Sequence, residues 1–492
     1  MTAPATPLSF TARRALGVAA RKQLVRRALG SFTDATCPQN PLTLLHAAEV
    51  GRVPALVALK HQRMAAGPFG FFRGAVPIMA ADLACHPHTG LLTQLCGDAH
   101  VSNLGAFAGP VEGTLSFDIN DFDETIQGPF EWDLKRLAAS LILAGREANI
   151  KRPAREEAVL HFAAQYRLHM ARFAAMPVLE MARHQIHRLS HIDPMPAILR
   201  QAQRSTPLKT LHSLTQPAHK NPQKPGAPSI AQSHRAMGGV GSAAKSNPSA
   251  LKGTGFSPSV KSNNKAGVLT PEGKPRIFRS NPPLLTPLSS KESATILASL
   301  GDYTRTIQPE RRHFLAQYRV VDVAFKVVGT GSVGLRDYCI YMEGTHSNKP
   351  DPLFLQIKEE AHSAYAPYLP EAAALYIHQG QRAVDGQRAM QLTSDPFLGY
   401  TSIEGRDYLV RQLNDHKASL DLAKLTPASL CGYADLCGEL FARGHARGGD
   451  PVAIAAYLGN SARFDDALLA FAHAYADKTE RDYSLLKKSL KK

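Results

Sequence analysis

The sequence lacks any apolar run approaching the roughly 18–20 residues that span a bilayer. The best candidate, around Leu137–Ala144, is short and is flanked by Lys135, Arg136 and Arg146. Paired cysteines are missing as well. The six, at 37, 85, 96, 339, 431 and 437, form no CxxC, so neither a zinc ribbon nor a disulfide framework is indicated and a reducing cytoplasm fits. No apolar segment follows the basic residues of the N-terminus, which excludes a secretory signal. Acids are absent until Asp34. An Arg-rich, acid-free start is also how a transit peptide reads; an amphipathic surface helix is the plainer account. No internal repeat is present.

What is there begins with charge. The 492 residues carry 57 Lys+Arg against 41 Asp+Glu, a formal net of +16. Between Arg200 and Pro287 stand 13 basic residues and one acid, Glu272, which leaves the rest of the chain with only +4. The basicity therefore belongs to one segment and does not argue for specific nucleic-acid binding. That segment, roughly Ser205–Pro287, is rich in Pro, Gly, Ser, Asn and Lys and reads as a disordered insert, a solvated tether. A hydrophobic share of 44% is that of an ordinary globular protein, long enough here for two or three domains.

Before the insert, Leu115–Ile119 alternates like a strand. Trp132–Ala144, Glu156–Phe173 and Val178–Ile192 carry helical spacing. After it, Val320–Tyr341 and Leu353–Ile357 read as strands joined by turns at Gly344 and Asn348–Asp351. A helix is expected over Glu371–Thr393, a strand over Asp407–Leu413, and helices from Ser429 onward.

The densest chemistry lies in GDAHVSNLG and FDINDFDETIQGPFEWDLKRL. Asp98, Asp118, Asp121, Asp123 and Glu124 fall within 27 residues, with His100, Asn103 and Asn120 among them. So many carboxylates repel unless cations sit between them. Oxygen ligands of this kind suit Mg²⁺ or Mn²⁺. Asp98 and Asn103 stand as D-x₄-N before a strand that leads to N-D-F-D-E. In kinase chemistry such an Asp takes the acceptor's proton, such an Asn holds metal, and a second Asp chelates the metal on the nucleotide phosphates. Those roles fall to Asp98, Asn103 and Asp121, with Asp118 and Asp123 as close alternatives to Asp121. Asp133 is assigned a structural role, anchoring the N-terminus of its own helix. His100 could ligate zinc beside Cys96, but no third ligand is spaced for it, and a positioning role is the simpler reading.

A second constellation is VVGTGSVGLRDY followed by PLFLQIKEE. Gly329, Gly331 and Gly334, with Ser332 between them, make G-x-G-x-x-G between two strands, which suits a phosphate-covering hairpin better than a Rossmann turn. A tight hairpin that needs glycine is the bland alternative. Lys358 lies in an apolar strand, where a buried ammonium requires an anion. ATP phosphates plus a helical carboxylate, Glu371 or Asp385, would supply it. Arg336 could equally meet phosphate. His445, Arg447 and Asp450 form a rival H-x-x-x-x-D element. A helix ending at Gly448–Gly449 with basic residues in its last turn is the alternative.

Together, RMAAGPFGFFRG (63–74), LCGDAHVSNLG, FDINDFDETIQGPFEWDLKRLAASL, GTGSVGLRDY, LQIKEE, VDGQRAMQ and HARGGD resemble the bacterial family named domain of unknown function 2252, in the same order over nearly the full length. More distantly, G-D-x-H-x-x-N and I-D-F-[DE] are similar to motifs of the aminoglycoside phosphotransferase and protein-kinase-like superfamily. That likeness implies Asp98 as base, Asn103 and Asp121 as metal ligands, and Lys358 as phosphate contact. It implies an α+β, kinase-like two-lobe fold in circularly permuted order. A mostly helical lobe would come from 1–204 and 419–492, a smaller antiparallel β lobe from 288–418, and the insert from 205–287. Arg73, beside Phe72 and Gly74, is left between binding a substrate anion and bracing the acidic loop. The expected function is an ATP- and Mg²⁺-dependent phosphotransferase acting on an unidentified hydroxyl. The alternatives are a metal-dependent phosphoester hydrolase using His100, and a non-catalytic nucleotide-binding protein.

Overall fold

Apolar residues on every face of Glu131–Glu147 drive the central element of the structure, a helix buried from Glu131 through Gly145. The computed structural model describes residues 7–33, 36, 39–109, 114–186, 189–218, 276–345, 349–413 and 416–491. In it α1 (Phe10–Gln23), α2 (Pro41–Ala47), α3 (Pro54–Met64), α4 (Pro68–Gly74) and α5 (Val76–Ala84) precede four short strands. These are β1 (Leu92–Leu95), β2 (Leu104–Ala108), β3 (Leu115–Ile119) and β4 (Ile126–Pro129), and the buried helix, α6, follows them. Next come α7 (Arg152–Ala175), α8 (Val178–Ala182) and α9 (Met195–Gln203). The expected helix over 178–192 stops at Ala182 because it has no face to bury: Val178 and Leu179 are exposed.

Of the segment read as an insert, residues 219–275 lie outside the described residues, as does Asn348 of the expected turn. Both flanks of that segment, however, belong to the fold. Thr206 caps α10 (Pro207–Leu214), and β5 (Thr215–Pro217) pairs antiparallel with β6 (Arg276–Phe278). The composition reading ran too far at each end, because single buried residues such as Thr215, Phe278 and Leu285 are hidden among Lys, Pro and Ser.

A six-stranded antiparallel sheet follows. Its strands are β7 (Leu285–Pro287), β8 (Tyr318–Lys326), β9 (Asp337–Gly344), β10 (Pro352–Glu359), β11 (Gly399–Ile403) and β12 (Arg406–Gln412). Their order is β11-β12-β10-β9-β8-β7. Three helices, α11 (Ser290–Ala298), α12 (Leu300–Thr306) and α13 (Pro309–Leu315), lie between β7 and β8; α11 begins with a Ser289–Glu292 capping box. The helix expected over 371–393 is broken into α14 (Pro370–Ala373) and α15 (Gln379–Met390), the second capped by the His378 side chain. After the two-residue strand β13 (Ala418–Ser419), the chain ends in α16 (Pro427–Gly448), α17 (Pro451–Leu458) and α18 (Arg463–Ser489).

The architecture is therefore mixed α+β with antiparallel sheets. One apolar core joins α6, α7, α16 and α18, and another fills the sheet under α11 and α12 around Tyr303, Ile340, Leu355 and Val410. Helices from the two ends of the chain interleave, α16 against α7 and α18 against α6. The small sheet β13-β2-β3 joins the chain leaving the large sheet to the strands flanking the acidic motif, with Ser419 opposite Gly105. Among the described residues no helix is long and apolar enough to cross a membrane. Cys96, Cys339, Cys431 and Cys437 are free, but Cys85 is disulfide-bonded. Linear spacing did not show that pairing, because bridges depend on proximity in space.

Lys135 tests the packing of α6. Its ammonium lies 4.7 Å from the Phe471 ring centre and the residue is buried. Burial pushes it down from its ordinary 10.5 to about 8, against the pull of Glu131. The unfolded chain therefore holds this proton more tightly, so the group costs stability in full below pH 8 and ceases to do so above 10.5. Lys135→Met is expected to raise stability at pH 7 by up to roughly 3 kcal/mol. The gain should fade between pH 8 and 10.5 in melts followed by circular dichroism.

Candidate functional site

The loop after β1 turns at Gly97, whose φ is +82° and where a Cβ would collide with the Glu124 carbonyl. Four side chains fix its backbone. The Asp133 carboxylate accepts from Cys96 N at 2.8 Å and Gly97 N at 3.0 Å. Ser140 Oγ accepts from Val101 N, while Tyr365 and Tyr433 donate to the carbonyls of Gly97 and Val101. Asp133 thus anchors the acidic loop and not, as expected, the start of its own helix. Its other neighbour is the sealed His445, whose Nε2 lies 3.3 Å away. This settles the rival motif. His445 and Arg447 occupy the last turn of α16, and Asp450 caps α17.

Within the loop, Asp98 Oδ1 accepts from Arg136 Nε at 2.8 Å and Nη2 at 2.6 Å. Its Oδ2 faces His100 Nε2 at 3.6 Å. Burial by itself would raise the Asp98 carboxyl; Arg136 and His100 outweigh it and hold the group well below the usual carboxylate range. Arg136 is fully buried, lies 4.3 Å from the Phe72 ring centre, and donates to the Phe72 carbonyl. His100 accepts from Ser102 N through Nδ1, and burial lowers its pKa against the pull of Asp98. Asn103 Nδ2 donates to the carbonyls of Asp98 and Asp121, at 2.9 and 3.0 Å, stapling the loop to the acidic turn.

The acids divide by partner. Asp118 is buried, accepts from Ile119 N, Leu392 N and the Arg443 guanidinium, and so is a structural anchor and not the cation ligand expected of it. Asp121 and Asp123 both reach Lys358. Its Nζ donates to Asp121 at 3.1 and 3.2 Å and to Asp123 Oδ1 at 2.6 Å. Lys358 is 2% exposed, whereas the Asp121 side chain keeps 40% of its surface open at the mouth of the cleft. Burial would lower the ammonium, but the two carboxylates raise it above its ordinary value. Burial and then the Asp121 charge raise Asp123, while Lys358 and Arg411 overcome burial to lower Asp121.

The glycine turn closes the other side. Gly329 and Gly334 have φ of +61° and +95°. Ser332 Oγ donates to Asp123 Oδ2 at 3.0 Å. The turn's carbonyls are gripped from α3 and its preceding loop: Arg52 holds Gly331 and Val333 at 2.9 and 2.6 Å, Arg63 holds Gly329, and Val53 N donates to Gly334 O. Arg336 pairs with Glu359 and does not point at a phosphate site. Neither helix carboxylate meets Lys358; Glu371 is exposed, and Asp385 accepts from Gln381 instead. Nearer to Lys358 is Glu360, buried just past the end of β10, with neither carboxylate oxygen hydrogen-bonded among the described residues. Burial first, then Asp123, pushes its pKa well up. From α15, Arg382 donates to the carbonyls of Asp123, Thr125 and Ala361. Arg411 donates to Asn120 O from β12.

The structure thus brings Asp121, Asp123, Ser332 and Lys358 into direct contact, and Asn103 ties the backbone of that group to the loop that carries Asp98 and His100. Arg136, Glu360, Arg382, Arg411 and Arg52 escaped the sequence reading. Arg136 left one signal, an arginine within an otherwise apolar helical stripe. The chain belongs to the family described as an uncharacterized protein conserved in bacteria, domain of unknown function 2252, which matches residues 52–247 and 259–489. No curated protein and no solved structure matches it.

The division among acids is testable by stability. Asp118→Ala leaves Arg443 buried without its carboxylate and is expected to cost about 3–5 kcal/mol in urea unfolding. Asp121→Ala, at the open mouth with Asp123 still pairing Lys358, should cost far less. Equal losses would refute the assignment.

Proposed function

We propose that the chain is an ATP- and Mg²⁺-dependent phosphotransferase acting on a hydroxyl acceptor, with kinase-like parts in circularly permuted order. The observation that carries this reading is the meeting of Lys358 with Asp121 and Asp123 across 237 and 235 residues of sequence. In kinase chemistry a glycine turn covers the phosphates and a lysine on a nearby strand contacts them. A loop Asp takes the acceptor proton, and an Asn and a further Asp hold metal. The counterparts here are Gly329–Gly334 with Gly331 and Ser332, Lys358, Asp98, and Asn103 with Asp121. The strand order β8-β9-β10-β12-β11, with α15 packed against β11 and β12, suits a phosphate-gripping lobe. The helical remainder would be the second lobe, assembled from both ends of the chain.

Mg²⁺ fits the donor set, since Asp121 and Asp123 already converge on one cation, the Lys358 ammonium. It would neutralise phosphate charge and orient the phosphate oxygens. Lys358 then shifts its bonds to the nucleotide's phosphates. Asp98, held by Arg136 through Oδ1, keeps Oδ2 for the acceptor hydroxyl. That oxygen forms a bond to the γ-phosphorus. The bond to the β–γ bridging oxygen breaks, its electron pair leaves with ADP, and the proton passes to Asp98 Oδ2. A two-metal hydrolase is less well supported, because His100 is turned to Ser102 N and Asp98.

Saturating Mg–ATP should raise the melting temperature by about 3–6 °C. Asp121→Ala should abolish the shift, and Asp98→Asn should retain it. Absence of any nucleotide-dependent shift in the unaltered chain would reject the reading.

A further inference from the structure

Against the acidic loop at Ser102 lies a cavity of about 430 Å³, lined by Phe69, Arg73, Ser102, Glu147, Ser419 and Leu420 among others. Four observations connect it to the site. Ser102 belongs to the loop that carries Asp98. The Phe69 ring meets His100 edge-on at 5.9 Å, and His100 in turn faces Asp98 Oδ2. Ser419 pairs with Gly105 directly after the loop. A Cβ at Gly331 would lie 3.5 Å from the Arg73 carbonyl, so the glycine turn rests on the turn of α4 that bears Arg73.

Arg73 is the unexplained group. Its Nε is enclosed and has no hydrogen-bond partner among the described residues. Bracing of the acidic loop, one of the two roles left open by the sequence, is therefore not what it does; Arg136 does that. A partly exposed guanidinium that lines a polar cavity with its Nε unbonded calls for a carboxylate or a phosphate, which it can grip with two parallel bonds. The lining also holds Glu147, whose Oε1 accepts from Phe69 N at 2.8 Å and whose carboxylate is a hydrogen-bond acceptor suited to hydroxyls. Ser102 and Ser419 add hydroxyl groups to the same lining.

We propose that this cavity is the acceptor site and takes a small hydroxylated anion, its phosphate or carboxylate on Arg73 and its hydroxyls toward Glu147 and the serines. The identification as acceptor rests on the phosphotransferase reading; the anion site itself does not. Arg73 is a binding residue under this assignment.

The test is calorimetric titration of the full chain, without nucleotide and at constant ionic strength, with glycerol 3-phosphate, glycerate and neutral glycerol. One of the two anions should bind saturably and glycerol should not, and the pair of anions separates a phosphate from a carboxylate preference. Arg73→Gln should weaken that binding by about tenfold or more, with Arg73→Lys intermediate, as expected for a lost two-pronged contact. The unliganded melting temperature of Arg73→Gln should match the unaltered chain, because no protein bond is lost. Three outcomes overturn the proposal: no saturable anion binding, equal binding by Arg73→Gln, or a lowered unliganded melting temperature in that variant. Arg73-dependent anion binding without any Mg–ATP shift would instead uphold the anion site and reject the phosphotransferase reading.

Discussion

A buried ammonium must find anions, and Lys358 finds them more than 230 residues away along the chain. Its strand is apolar and covered on both sides, so the charge can be kept only if the acidic turn of the other half is delivered to it. That requirement ties the large sheet to the small β13-β2-β3 sheet and explains why the segment after β3 is so heavily clamped. Arg382 and Arg411 hold the carbonyls of residues 120, 123 and 125 from the sheet side, and Asn103 holds that of Asp121 from the loop side. None of these bonds touches the carboxylates of Asp121 and Asp123. The backbone is fixed independently of the two side chains.

The other acids serve different ends. Asp118 and Asp133 are sealed and bound to Arg443 and to backbone amides, which fixes the position of the loops without presenting charge to the cleft. Asp98 is intermediate. One oxygen is committed to Arg136, and the other lies beside His100. Preorganised groups of this kind do not have to reorient during a reaction, which is how positioned side chains lower a barrier. The glycine turn is held differently, by Arg52 and Arg63 through its carbonyls and by Ser332 on Asp123.

Much of this was legible beforehand. The D-x₄-N spacing and the N-D-F-D-E turn located the loop and turn that form the cleft, and the apolar strand around Lys358 announced a buried cation in need of acids. Helix boundaries followed apolar periodicity where a face is buried, as in α6, and failed where none is, as at Val178. The identity of the acid beside Lys358 was not legible. A helical carboxylate was sought by motif, yet the partners come from the turn after β3, and only three-dimensional closure reveals that. Asp118 and Asp121 are indistinguishable by spacing; three residues apart on a bending chain, one faces Arg443 and the other Lys358. The flanks of the basic segment were misjudged because composition averages over the few residues that pack.

The central claim is that the two halves build one nucleotide site around the Lys358–Asp121 contact. A double-mutant cycle on Mg–ATP affinity, measured calorimetrically with Lys358→Met, Asp121→Asn and the pair, tests it most directly. The account predicts measurable binding by the unaltered chain, weakening in each single variant, and a coupling energy above about 1 kcal/mol in the double variant. Additive effects, or no binding by the unaltered chain, would contradict it.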